Sequence, residues 1–215
     1  MDAHAPARGL GAVVLSGGAA ARLGGADKAS IEVAGRTLLE HALAALAEVP
    51  EVVVVGAEVP TSRPVTFTRE DPVGGGPAAG LLAGLERFAR TPDWVVVLAV
   101  DMPLVSPDTV RRLTAALRDD GAVLVEPGGQ VQYLCAAYST AALARAAEVL
   151  GDTGSPGGHG LSMRRLVGGL RLAQVPADGA ETRDLDTWED LADLRQTFGD
   201  RAPLRPESQG GQGVS

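Results

Sequence analysis

Residues 10–28 read LGAVVLSGGAAARLGGADK, an unbroken apolar run at 10–15 followed at once by glycines and closed by Lys28. Such a run predicts a strand buried on both faces. Glycines placed directly after it let the backbone turn tightly and aim several N–H groups at one point, an arrangement suited to an anionic phosphate. Arg22 and Lys28 add positive charge to the loop. Lys28 is the one lysine among 19 basic residues, the rest being arginine. A biased codon usage could replace surface lysines with arginine wholesale, in which case a lysine that remains is either chance or a position where a guanidinium fork cannot replace a compact ammonium. The loop matches neither the GxGxxG spacing nor GxxxxGK[ST]. Glycine pairs alone favour a flexible loop with two solvated cations; the lone lysine and the position at a strand end turn the reading toward a phosphate site.

Outward from this stretch, short apolar runs alternate with helical ones. Leucine spacing predicts a helix over 37–49, and strands follow at 52–55 and 66–68. The segment 77–90 predicts a helix with Pro77 in its first turn. WVVVLAV at 94–100 is the most apolar strand and ends at Asp101. Ser106 and Pro107 form an N-cap and first-turn pair for a helix to about 118. Strands at 123–125, 133–138 and 170–175 and helices at 140–150, 161–167 and 187–198 complete the pattern. Alternation of this kind predicts an α/β domain with a mostly parallel sheet covered by helices on both faces. Ligands of such sheets bind beyond the carboxyl ends of the strands, which directs attention to the loops after the first strand and after Val100.

The 215 residues suit one domain, expected over 9–199, with a flexible extension at 1–8 and a disordered tail at 200–215. GDTGSPGGHG at 151–160 reads as a flexible loop whose His159 is either solvated or an acceptor contact. A net charge of −8 supplies no basic face for nucleic acid. One cysteine, Cys135, excludes an intramolecular disulfide, and three scattered histidines give no zinc spacing. With no secretory h-region and no membrane-length apolar run, a soluble cytoplasmic protein is expected.

LSGGAAARLGGADKA resembles the LAGGxxxRMGGxDKA signature of the molybdenum cofactor guanylyltransferases of the MobA type. Leu23 replaces the signature methionine, and Ser16 stands where alanine is usual, with a hydroxyl that either reaches a phosphate or does nothing. Gly76-Pro77-Ala78-Ala79-Gly80 is similar to the family's GPLAG element, physically a helix N-terminus whose N–H groups favour an anion. Asp71 matches an aspartate that helps hold the nucleotide, though it also reads as a turn residue before Pro72. Asp101-Met102-Pro103 resembles the D-x-P element whose aspartate binds magnesium, and Mg²⁺ takes one or two carboxylates plus phosphate oxygens. DLDTWEDL at 184–191 is similar to N/D-x-N/D-T-P-E-D-L; Thr187 and Asp190 read as a capping box, and Asp186 as a metal or substrate contact or simply part of a helix start. The segment 132–138 resembles a strand that lines the acceptor side. Gly56-Ala57-Glu58 departs from the pattern, lacking an asparagine that contacts nucleotide in some members.

The resemblance implies a single-domain, Rossmann-like nucleotidyltransferase fold. It implies nucleotide contacts at Leu15, Ser16, Gly17, Gly18, Lys28, Asp71 and Asp101, with Mg²⁺ on Asp101 and catalytic roles for Lys28, Arg22 and Asp101. The implied reaction is attack of the molybdopterin phosphate on the α-phosphorus of GTP, with pyrophosphate leaving. GTP and molybdopterin are then the partners, with transient contact to molybdenum cofactor insertion proteins and none to nucleic acid or membrane. Two competing readings are a related transferase that uses CTP or acts on another small phosphorylated acceptor, and a non-catalytic nucleotide-binding protein.

Overall fold

The computed structural model describes residues 9–17, 19–20, 26–151, 156–185 and 187–197, so the segments 1–8 and 200–215 lie outside it. The first strand, β1, is Leu10–Leu15. Two small pairs follow: Ala19–Ala20 (β2) with Ala26–Asp27 (β3), and Glu32–Val33 (β4) with Arg36–Thr37 (β5). Next come α1 (Leu38–Ala45), β6 (Glu51–Val55), β7 (Thr66–Thr68), α2 (Pro77–Leu85) and β8 (Trp94–Ala99). The remainder is α3 (Pro107–Ala115), β9 (Gly121–Val125), β10 (Val131–Ser139), α4 (Thr140–Gly151), α5 (Met163–Val167), β11 (Leu172–Pro176) and α6 (Trp188–Thr197).

Seven strands form one sheet in the order β11-β9-β10-β8-β1-β6-β7. β1 lies inside it, parallel to β6 on one side and to β8 on the other. β10 runs antiparallel to both β8 and β9, so the sheet is mostly parallel, and the carboxyl ends of the other six strands open along one edge.

Strand alternation sorts the core into two layers. Ala12, Val14, Val52, Val54, Val96 and Leu98 face the layer that holds leucines of α1, α3 and α6. Val13, Leu15, Val53, Val55, Val95 and Val97 face the layer of α2, α4 and α5. Burial on both faces is why these strands read as continuous apolar runs. Aromatic side chains are scarce, and leucine fills the space: Leu38, Leu39, Leu43 and Leu46 are all buried, each contributing about 1.5–3 kcal/mol by transfer out of water.

Helix starts follow their caps. The Thr37 hydroxyl accepts from Glu40 N at 3.2 Å, and Ser106 and Thr109 form a reciprocal capping box on α3. Helix ends fall short of the sequence expectation. α1 stops at Ala45, before Val49-Pro50, where the residue preceding proline is steered out of the helical region. α2 stops at Leu85; beyond it Ala89 N donates to Glu51 Oε1 at 2.9 Å instead of to a helical carbonyl. Of the stretch expected as a flexible loop, residues 152–155 lie outside the described residues, and Pro156–Gly158 form a 3-10 turn packed on α2, where a side chain at Gly158 would meet Leu82 and the backbone of Ala78 and Ala79.

Candidate active site

β1 delivers its loop at the carboxyl edge of the sheet. Ser16 N and Gly17 N both donate to Val55 O at 3.0 Å, and the buried Ser16 hydroxyl donates to the same oxygen at 3.2 Å. Of the two outcomes open for the Ser16 hydroxyl, this structure has it bonded to the end of β6. Gly56 accommodates that choice: a Cβ there would stand 2.1 Å from Ser16 Oγ. The position that lacks the asparagine thus lies against a serine hydroxyl from the carboxyl end of the neighbouring parallel strand β1. Gly18 and Arg22 lie outside the described residues.

The loop returns through β3, and Asp27 then caps the 3-10 turn Lys28–Ser30, its carboxylate accepting from Ala29 N at 3.1 Å. Buried Ala29 anchors the turn in the core. The pair Asp27-Lys28 therefore divides its labour, the first residue shaping the backbone and the second presenting a cation. Lys28 Nζ lies 2.8 Å from Asp101 Oδ2, with side chains 15% and 23% exposed. Asp101 reaches that point because β8 is parallel to β1 in register, Leu15 opposite Ala99, and Val100 N donates to Leu15 O at 3.0 Å. Two chemically paired residues 73 positions apart are thereby brought together at adjacent strand ends.

The loop after β7 forms a second wall. Asp71 is exposed, and its carbonyl oxygen lies 3.1 Å from His159 Nε2. The His159 ring covers Gly75, where a Cβ would stand 2.4 Å from Nδ1, and Gly160 N donates to Gly75 O at 3.0 Å. His159 is thus half-buried and attached to the Asp71 loop, in contrast to a merely solvated loop histidine. Gly76, at φ 87°, turns the chain into Pro77 at the start of α2.

On the other flank, Leu185 N donates to Asp101 O at 2.8 Å. Thr187 and Asp190 make the expected capping box: Thr187 N and Oγ1 donate to Asp190 Oδ2 at 2.8 and 2.7 Å, and Asp190 N donates to Thr187 Oγ1 at 3.1 Å. Asp186 lies outside the described residues. The start of β10 carries an irregularity, since Gln132 opposes Leu124 while Ala136 opposes Val123 on β9. This bulge, of the sort found beside active sites, frees Tyr133 O to accept from the Tyr138 hydroxyl at 2.8 Å. Burial pushes the Tyr138 phenol up from its ordinary range and the Cys135 thiol up to about 12, so Cys135 is not a nucleophile.

Sequence reading missed Glu181 and Arg112, which join the segment after β11 to α3. Glu181, 7% exposed, accepts from Arg112, and this hydrogen bond is the main reason the guanidinium pKa is raised above its ordinary value. A glutamate in a polar turn gives no sequence signal of burial.

The carboxylate inventory bears on the metal. Among the described residues no cluster of three or more His, Cys, Asp or Glu could hold an ion. The partly exposed Asp101 carboxylate at a strand end is of the kind that a hard divalent ion takes together with waters and phosphate oxygens. Among the described residues no helix is long and apolar enough to cross a membrane.

A family model described as the MobA-like NTP transferase domain matches residues 12–170. The chain belongs to this family. The family match takes in the glycine loop, Lys28, Asp71 and Asp101 and ends before the 181–185 segment. A molybdenum cofactor guanylyltransferase from Vibrio cholerae serotype O1 is 33% identical over 124 residues, 56% of this chain and 60% of that relative. The chain spans about 60% of the length of such curated relatives. A solved nucleotidyl transferase from Methanothermobacter thermautotroptrophicus is 26% identical with a TM-score of 0.70, covering 88% of this chain and 97% of its own. Rv0371C from Mycobacterium tuberculosis, solved in complex with manganese, shares the fold at 21% identity and a TM-score of 0.63, with 89% and 100% covered. These likenesses agree with the mostly parallel sheet and single-domain architecture read from the sequence.

Proposed function

We propose that this member of the family transfers GMP from GTP to molybdopterin with release of pyrophosphate. The observation that carries the reading is the Lys28 ammonium 2.8 Å from the Asp101 carboxylate at the end of the glycine loop. A phosphate-directed cation and a metal-directed acid side by side are what phosphoryl chemistry without a covalent intermediate requires. The curated relative from Vibrio cholerae, named for guanylyl transfer to the molybdenum cofactor, supports the choice of substrates.

A terminal phosphate oxygen of molybdopterin forms a bond to the α-phosphorus of GTP, and the bond to the pyrophosphate oxygen breaks, its electron pair leaving with pyrophosphate. Nucleophile and leaving group are both anionic, so the protein's part is to align them and neutralise charge. Lys28 offsets the charge gathering on the α-phosphate and the leaving group, with Arg22 assisting from the same loop. Asp101 would hold Mg²⁺, which would supply neutralisation of phosphate charge. The mycobacterial fold relative solved in complex with manganese is in keeping with use of a divalent ion. Leu15, Ser16, Gly17 and Gly18 form the floor for the nucleotide. Because Ser16 N and Gly17 N already serve Val55 O, close backbone approach at Gly17 matters more there than donation. Asp71 holds the nucleotide from the opposite wall. Molybdenum cofactor insertion proteins would meet the enzyme transiently to collect the product.

The test is incubation with molybdopterin, Mg²⁺ and each nucleoside triphosphate in turn, with the product identified by mass. A molybdopterin guanine dinucleotide formed from GTP is the expected result. Preference for CTP overturns the guanylyl assignment, and nucleotide-induced thermal stabilisation without pyrophosphate release overturns catalysis.

A further inference from the structure

One short segment, residues 181–185, contacts both Asp101 and the helix that follows its loop. At one end Leu185 N donates to Asp101 O at 2.8 Å. At the other, α3 is clamped by Glu181. The Glu181 carboxylate accepts from Thr109 Oγ1 at 2.5 Å, from Arg112 Nη2 at 2.5 and 2.6 Å, and from Asp178 N at 2.6 Å. Thr109, 0% exposed, accepts in turn from Ser106 N at 3.2 Å, so the clamp continues to the residue where the Asp101 loop ends. Arg112 also donates to Pro176 O at 2.7 Å, fixing the point where the segment leaves β11. Between the two anchors Met102 and Val105 are buried, which leaves the loop little freedom once its ends are set.

We propose that Glu181, through Thr109 and Arg112, is a positioning residue that sets where the Asp101 carboxylate stands beside Lys28, and thereby the affinity of the site for a divalent ion. The inference rests on Asp101 being the metal ligand. The clamp works by geometry: the Glu181 charge is met in place by the Arg112 guanidinium. Outer partners that orient a ligand typically govern metal affinity by about 10–100-fold.

The experiment measures Mn²⁺ binding at a fixed GTP concentration from the electron paramagnetic resonance signal of free Mn²⁺, taken as the depletion beyond that of a protein-free sample with the same GTP, so that Mn²⁺ held by GTP alone is subtracted. It uses the full chain and its Glu181→Ala, Thr109→Val and Asp101→Asn variants, with melting curves alongside. Glu181→Ala is expected to weaken Mn²⁺ binding about tenfold. Thr109→Val, which removes only the hydroxyl link, should weaken it by a smaller factor and keeps the proposal testable if the first variant does not fold. A lower melting temperature with Mn²⁺ affinity within twofold of wild type in the folded variants overturns the clamp. If Asp101→Asn binds Mn²⁺ as well as wild type, the reading of Asp101 as the ligand fails instead, and the two failures are distinct.

Discussion

Replacing Gly56 by alanine tests how the floor of the site is built. The new Cβ would lie 2.1 Å from Ser16 Oγ, whereas ordinary contact begins at 3.4 Å, so the hydroxyl must move by more than an ångström. Its escape is rotation about χ1, which breaks the 3.2 Å bond to Val55 O. The acceptor suffers little, since Val55 O keeps Ser16 N and Gly17 N at 3.0 Å. The cost falls on the donor: Ser16 is 2% exposed, and a buried hydroxyl without a partner costs about 1–3 kcal/mol. Ser16→Ala deletes that hydroxyl and should cost about 1 kcal/mol or less, because the acceptor stays satisfied. With alanine at position 16, the nearest remaining neighbours of the added Cβ at position 56 are Gly17 N at 3.2 Å and the residue-16 carbonyl carbon at 3.3 Å, tight but within reach of small adjustment. The double variant should therefore be no less stable than Gly56→Ala alone. The coupling energy is expected at about 1–2 kcal/mol, within the range known for touching residues. Urea unfolding of wild type, both single variants and the double variant measures it. Additivity within about 0.5 kcal/mol would show that the two residues do not share the space and refute the reasoning.

Lys28→Ala should lower turnover by about 10²–10³, as loss of one charge-stabilising donor does, with the melting temperature little changed; steady-state kinetics with unaltered kcat and KM would remove Lys28 from the chemistry. His159→Ala should loosen the Asp71 loop and raise KM for the nucleotide more than it lowers kcat, and a fall in kcat alone would point to a different role. Burial raises the Cys135 thiol from 9.0 to about 12, so above pH 9 the unfolded chain releases a proton that the folded chain keeps, and stability falls as pH rises toward 12. Unfolding free energies from urea titrations at pH 9 and 10 should show a drop smaller in Cys135→Ala by about 1 kcal/mol, and equal drops in both proteins would contradict the buried thiol.

Much of the framework was legible because it is written in local patterns. Apolar runs at 10–15 and 94–99 became β1 and β8 since strands buried on both faces need no polar residue. The Ser106 and Thr187 caps were readable because their partners lie three residues away. Helix ends were read too long, since α1 and α2 stop where tertiary partners and a following proline take over, which periodicity does not register. The antiparallel course of β10 and the docking of 156–160 on α2 were missed for a related reason: chain direction and loop packing depend on distant neighbours.

The site divides along the same line. The sequence by itself determined which groups the chain offers for phosphate chemistry, a glycine loop closed by Asp27-Lys28 and an aspartate at the end of the most apolar strand, because each is a short run whose physics is complete within a few residues. Only the tertiary structure decided that Lys28 meets Asp101 across 73 residues, that the Ser16 hydroxyl crosses 39 residues to Val55, and that Thr109 reaches Glu181 across 72. Those partnerships are set by the parallel register of β1 with β6 and β8 and by the return of the chain after β11. A buried glutamate and a solvated one are the same letter until the fold surrounds one of them.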